Sequence, residues 1–144
     1  MSVEVNKALV RRYYEELWNR WDLKLADELI APNVAFRGSL GTATSGIEGF
    51  RQYVGSVRAA FPDFQNTIEE LIAEGDRVVA RLTYRGTHQG DLFGIPPTGK
   101  QVTYAGLALF RIAEGKIVDI YVVGDTLSLM QQLSISPFTG RVGS

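Results

Sequence analysis

The 144-residue chain has no cysteine and a single histidine, His88. Disulfides, thiolate nucleophiles and thiolate-held metals are excluded, and so is any multi-histidine metal site. Neither sign of charge dominates: 15 Lys and Arg stand against 16 Asp and Glu, with no long run of either. The electrostatic footprint of a nucleic-acid or anionic-membrane binder is missing. No stretch is long and apolar enough to cross a bilayer. The N-terminal MSVEVNKALVRRYYEE is charged every few residues, where a secretory signal needs an apolar core. A cytoplasmic protein is the default expectation, and any chemistry falls to carboxylates, tyrosines and His88.

What is there fits one domain over residues 1–144, large enough to bury a core and too short for a separate cofactor domain. No cofactor and no metal are expected. Val10, Tyr13, Tyr14, Leu17, Trp18 and Trp21 recur at helical steps, which predicts an amphipathic helix from about Val3 to Asn19. A shorter helix, LKLADELI, should stop at Ala31 ahead of Pro32, and residues 33–36 read as a short strand. Ser45 and Glu48 have the spacing of a capping box. They open a third helix whose stripe is Ile47, Phe50, Val54, Val57 and Phe61, ending before Pro62. From Phe64 the pattern turns to strands: NTIEELIA, RVVARLTYRGTH, QVTYAGLALFRI and KIVDIYVV. Helices followed by a run of antiparallel strands make an α+β domain, with a loose tail from about residue 135.

In RVVARLTYRGTH, arginines at 77, 81 and 85 alternate with Val78, Ala80, Leu82 and Tyr84. An unbroken strand therefore puts Gly86 and His88 on the apolar side. Two readings of His88 follow. Its ring either packs under the nearby IPPTG turn and donates to a backbone carbonyl, or lines a pocket as an acid or base near neutral pH.

The segments GTHQGDLFGIPPTGKQV, FRIAEGKIVDIYVVGDTLSLMQQL and GIEGFRQYVGSVRAAFPDF together resemble the SnoaL-like polyketide cyclase family, within the nuclear transport factor 2-like superfamily. The resemblance covers nearly the whole chain. It implies a cone: a strongly curved antiparallel sheet wrapped around N-terminal helices, with an apolar pocket between them, often dimeric through the outer sheet face. Family members close rings of polyketide esters by intramolecular aldol condensation without metal or cofactor. The wider superfamily includes isomerases, dehydratases and non-enzymatic binding modules, so fold alone does not set the reaction. The family's cyclases use an aspartate on the last strand opposed by a histidine on its neighbour. Laid over the EGKI hairpin, those positions fall at Val122 and Ala108, which move no protons.

The register of that hairpin fixes what faces the pocket. A three-residue loop, Ala113-Glu114-Gly115, pairs Arg111 with Ile117. Tyr104, Gly106, Ala108 and Phe110 then share a face with Val118, Ile120, Val122 and Gly124. A two-residue turn swaps the last strand's faces and brings Asp119 and Asp125 alongside Tyr104. Asp125 reads either as the N-cap of a terminal helix or as a pocket acid or base, and Asp63 as a turn residue. The candidate catalytic groups are therefore His88 and Asp125. Tyr14, Trp18, Phe36, Phe93, Tyr104, Ala108, Phe110 and Val122 are the candidate substrate contacts, an apolar wall suited to a flat polycyclic carbonyl compound. Arg37 should point to the opposite side.

Two functional classes remain. One is a cofactor-independent cyclase, isomerase or dehydratase. The other is a non-catalytic binding or dimerising module that lacks the family's aspartate. Ala105, Leu107, Leu109, Tyr121 and Val123 would form an apolar outer face, which predicts a homodimer.

Overall fold

The computed structural model describes residues 2–134; the tail expected from residue 135 lies outside them. Helix α1 spans Val3–Arg12. Ser2 caps it, its hydroxyl accepting from the Val5 amide at 3.1 Å. The helix continues as a π-helical segment, Tyr13–Trp18. The wider winding seats Tyr13, Tyr14, Leu17 and Trp18 all in the core, a broader buried face than α-helical spacing presents.

A 3-10 turn and the short α2, Ala26–Leu29, lead into β1, Ile30–Arg37. The second helix was expected to reach Ala31. It stops at Leu29 because Ile30 is already extended and pairs with Ile117. Pro32, which has no N–H to donate, falls in the gap where the ladder with the last strand is broken between Ile30 and Ala35. β2, Ala43–Ser45, pairs back onto β1, and α3 follows as Gly46–Ala60. The capping box does not form. Ser45 makes no side-chain cap bond, being held in the β2 ladder opposite Ala35, and Glu48 reaches Arg51 instead.

Four long strands complete the chain: β3 Gln65–Glu74, β4 Arg77–Thr87, β5 Gln101–Ala113 and β6 Lys116–Gly124, followed by α4 Thr126–Gln132. The sheet order is β2-β1-β6-β5-β4-β3, with β1 and β6 parallel and every other pair antiparallel. The helices cover its inner face. Alternation along β4 is strict, with Val78, Ala80, Leu82, Tyr84 and Gly86 buried and the three arginines exposed. This period of two selects the face that meets α1 and α3.

The β5–β6 connection differs from the three-residue loop. Glu114 and Gly115, both left-handed at φ 53° and 78°, form a two-residue turn between paired Ala113 and Lys116. Such a turn alone would have reversed the faces of β6. A bulge at Val118 reverses them back, so Ala108 pairs with Val122 and Phe110 with Ile120. The register is shifted by two residues from the expected one, and the inward set is nearly unchanged. Asp119 consequently lies on the outer side, 3.0 Å from Arg111.

Candidate functional site

Between the π-helical segment, α3 and the inner sheet face lies a narrow cleft of about 20 Å³, drawn out between rings and barely wide enough for a water at rest. Tyr13, Tyr14 and Trp18 close it from above, and Phe36, Tyr53 and Val57 form one side. Phe64, Asn66, Tyr84 and Val122 line the other, with Gly38 and Ser39 at the rim. Two glycines make room for the phenols. A Cβ on Gly38 would come within 2.3 Å of the Tyr53 ring, and one on Gly106 within 2.4 Å of the Tyr84 ring.

The rings brace one another. Phe64 stacks on Tyr84 at 5.8 Å, Tyr84 meets Tyr104 at 4.9 Å, and Phe36 meets Tyr53 at 4.9 Å. The Tyr104 hydroxyl lies 3.1 Å from Ser39 Oγ. Trp18 Nε1 is buried near the Tyr13 hydroxyl and makes no well-formed hydrogen bond among the described residues.

Burial pushes the phenols of Tyr13, Tyr14, Tyr84 and Tyr104 well above the ordinary value. Tyr53 is raised for the same reason, less so because Ser39, the Leu40 backbone and the Arg37 charge stabilise its anion. At neutral pH each of these hydroxyls keeps its proton, so the cleft presents donors rather than bases. Among the described residues, no aspartate, glutamate or histidine lines it. The arrangement suits a flat apolar molecule with a carbonyl oxygen to be polarised.

Four of the sequence candidates, Tyr14, Trp18, Phe36 and Val122, line the cleft. Ala108 and Phe110 face the core and are fully buried. Phe110 sits beneath Tyr13 and Tyr14, at 5.3 and 5.8 Å, as packing below the cleft floor. Tyr104 reaches the rim through Ser39. Phe93 is apart from the cleft: 61% exposed, it lies with φ 47° at the tip of a tight turn closed by Leu92 and Ile95. Arg37 lies over the Tyr121 ring on the outer side and donates to the Val122 carbonyl.

His88 is fully buried, on the inner side of its strand as the alternation predicts, but outside the cleft. It is four residues beyond Tyr84, about 13 Å at the rise of a strand. Its Nδ1 accepts from the Thr98 amide at 3.3 Å and lies 3.1 Å from the Thr98 hydroxyl, under the IPPTG turn. The ring thus accepts a backbone N–H at Nδ1 rather than donating to a carbonyl, and its Nε2 is buried without a hydrogen-bond partner. Around it the chain is locked. Gln89 and Gly90 both donate to the Ala60 carbonyl at the end of α3, and a Cβ on Gly90 would sit 2.0 Å from the Ala59 oxygen. Asp63 accepts from the Thr87 amide and hydroxyl, both at 2.7 Å. Desolvation raises the Asp63 carboxyl, but the Thr87 hydroxyl and amide, with the Asp63 backbone amide, together outweigh it and hold the group below its usual value. Asp125 is exposed and caps α4, accepting from the Ser128 amide at 3.1 Å.

Tyr13, Tyr53, Tyr84, Ser39 and Asn66 were not singled out from sequence. Tyr84 and Tyr53 had a legible signal, one in the alternation of β4 and the other beside Phe50 and Val57 at helical spacing. Ser39 and Asn66 had none. Among the described residues, no group of three or more His, Asp or Glu side chains is placed to hold a metal ion, and no helix is long and apolar enough to cross a membrane.

The family model of the SnoaL-like polyketide cyclases matches residues 8–133. Nogalonic acid methyl ester cyclase of Streptomyces nogalater is 38% identical over 95 residues, which is 65% of this chain and 71% of the relative. A structure from Jannaschia sp. CCS1, assigned to the same family, superposes with a TM-score of 0.85 at 26% identity, covering 93% of this chain and 94% of the other. AclR of Streptomyces galilaeus, proposed to be a hydroxylase, superposes at 0.79 with 31% identity over 92% and 86% of the two chains. By the extent of that family match, and by a cone whose strands and helices follow the same plan, the chain belongs to the SnoaL-like polyketide cyclase family.

Proposed function

We propose that the protein binds a small, flat, carbonyl-bearing apolar molecule in its cone and polarises the carbonyl through phenolic and indole donors. The composition of the cleft carries this reading: aromatic walls, several protonated hydroxyls and, among the described residues, no carboxylate or imidazole. Ala108 and Val122 face each other across β5 and β6, at the positions where the resemblance calls for a histidine and an aspartate. A donor set stabilises an enolate once formed, but carbon-bound protons need a base to leave. Since the cleft is narrow at rest, ligand entry requires rings at its mouth to turn.

The test uses the ester cyclised by the relative from Streptomyces nogalater. Nogalonic acid methyl ester is titrated against tryptophan fluorescence, and the mixture is then followed by chromatography. Saturable quenching without accelerated ring closure is the expected result; absence of binding overturns it. Accelerated closure supports a second reading, a cyclase or isomerase drawing its base from the substrate or solvent, which the 38% identity to a cyclase favours.

We also propose that two copies pair through the outer sheet face. Leu107, Leu109, Tyr121 and Val123 are 53%, 37%, 54% and 57% exposed on adjacent strands, an apolar surface of the kind that a second sheet covers. Light scattering that shows a monomer at micromolar concentration removes this reading.

A further inference from the structure

Around Leu107 and Leu109 on the outer sheet face, charges are neutralised in pairs. Arg81, opposite Leu107, lies 3.2 Å from Glu70. Arg111, further along the strand of Leu109, lies 3.0 Å from Asp119. A face whose flanking charges are already neutral suits a copy of itself, because two identical surfaces then meet without like-charge repulsion. Arg37, in register with Tyr121 of the same face, is different: it forms no ion pair with a carboxylate among the described residues.

A ring and a carbonyl hold Arg37 instead. Its guanidinium carbon lies 4.9 Å from the centroid of the Tyr121 ring, and Nη1 donates to the Val122 carbonyl at 2.6 Å. Tyr121 is exposed within the apolar face, whereas Val122 lines the cleft. One side chain thus touches both sides of β6. It also precedes the rim, since Gly38 and Ser39 line the cleft. The rim segment is closed by two backbone bonds of 3.0 Å, from the Gly38 amide to the Thr42 carbonyl and from the Gly41 amide to the Gly38 carbonyl. A Cβ on Gly41 would lie 3.9 Å from the guanidinium, so the cation rests against this segment. Its field reaches the cleft as well: burial raises the Tyr53 phenol, and Ser39, the Leu40 backbone and the Arg37 charge offset part of that rise.

We infer that Arg37 couples the two faces of β6: a second copy covering Tyr121 fixes the guanidinium between ring and carbonyl, and the rim of the cone at residues 38–42 tightens. The inference rests on the pairing through the outer face proposed above and gives that pairing a consequence for the site. In water a cation is held weakly over a ring, and excluding water strengthens both that attraction and the bond to the carbonyl. A guanidinium suits the place because it is weakly hydrated, and its plane can stack while its edge donates. Arg37 is a positioning residue here. A rim ordered before a ligand enters leaves less to be ordered on binding, so the dimer should bind more tightly than the monomer. Linkage makes the effect reciprocal, and a ligand in the cone must strengthen the dimer.

The first readout needs no ligand. Hydrogen exchange in peptides spanning residues 38–42, followed by mass spectrometry as protein concentration rises through the monomer–dimer transition, should slow about fivefold. Arg37→Met keeps an apolar stem without the cation, and Tyr121→Leu keeps the face apolar without the ring. In each, while light scattering still shows pairing, exchange in monomer and dimer should agree to within about twofold. An Arg37 that only supports the fold would instead change exchange equally in both states. The second readout is nogalonic acid methyl ester, which should bind the wild-type dimer about fivefold tighter than the monomer. Because a dimer carries two sites, saturating ester should then lower the dimer dissociation constant about twenty-five-fold. Equal exchange in wild-type monomer and dimer overturns the inference and leaves the pairing. A slowing that survives both substitutions removes Arg37 from it, and a wild type that stays monomeric overturns inference and pairing together. An ester that does not bind overturns the reading of the cone as its site, while the exchange result still decides the role of Arg37.

Discussion

Tyr84, on the inner face of β4, and His88, just past the strand's end on the same side, sit in surroundings that do opposite work. Around His88 most polar groups are matched with near neighbours: Nδ1 with Thr98, the Ala60 carbonyl with Gln89 and Gly90, and Asp63 with Thr87. Only His88 Nε2 is buried there without a partner, in close packing. Around Tyr84, rings leave a cleft and the Trp18 N–H makes no well-formed hydrogen bond. The lone histidine, chemically the most conspicuous side chain in the sequence, belongs to the closed end. The open end is built of tyrosines, a tryptophan and an asparagine. His88 Nε2 and Trp18 Nε1 both lack a well-formed hydrogen bond, so a free polar atom marks a site only where a cleft lies beside it.

The contrast breaks most sharply at Gly90. With a Cβ at 2.0 Å from the Ala59 carbonyl, Gly90→Ala forces the loop off the end of α3, and we expect a loss of about 3 kcal/mol in denaturant unfolding. If the variant is as stable as the wild type, the closed end is not the lock described. His88→Gln removes the ring that receives the Thr98 amide. It should cost about 1–3 kcal/mol and leave ligand affinity in the remaining folded protein unchanged. Weakened binding at full stability would reassign His88 to the site. At the open end, Gly106→Ala presses on the far edge of the Tyr84 ring, which can tilt away. The expected stability loss is about 1 kcal/mol, with a larger proportional effect on ligand affinity, and calorimetry on both ends separates the two.

The smallest effect is one of pH. The Asp63 carboxyl titrates below its usual value of 3.8, so the folded state favours its anion. The contribution is present above that pH and is lost as pH falls through the lower folded-state value. Because Asp63 is largely exposed, the effect is modest. Comparing acid unfolding of the wild type with Asp63→Asn isolates it, and coincident acid limbs would show that the Thr87 bonds do not distinguish charge states.

Much of this could be anticipated locally. Period-two alternation put Tyr84 inward on β4 and His88 inward just past its end, and helical spacing put Tyr14 and Trp18 on the buried stripe of the first helix. Even the facing of Ala108 and Val122 emerged, although through a turn and a bulge that were not foreseen. A bulge restores a face that a turn reverses, so alternation survives while register does not. The Ser45 cap and the end of the second helix failed for a different reason: ladder bonds to β1 and β6 claimed the backbone that local propensity had assigned to helices.

By itself, the sequence determined composition limits, inward faces and family. Those depend on residue type and near-neighbour spacing, and both are written along the chain. Only the tertiary structure decided which inward residues surround empty space and which are sealed. His88 and Tyr84 carry the same signal in one dimension. What separates them is whether a turn, residues 95–99, or a π-helical segment, residues 13–18, comes to rest over each. The Asn19–Asn66 pair, 47 residues apart, exists only because chain closure brings two backbones within hydrogen-bond reach, and no local pattern encodes that distance.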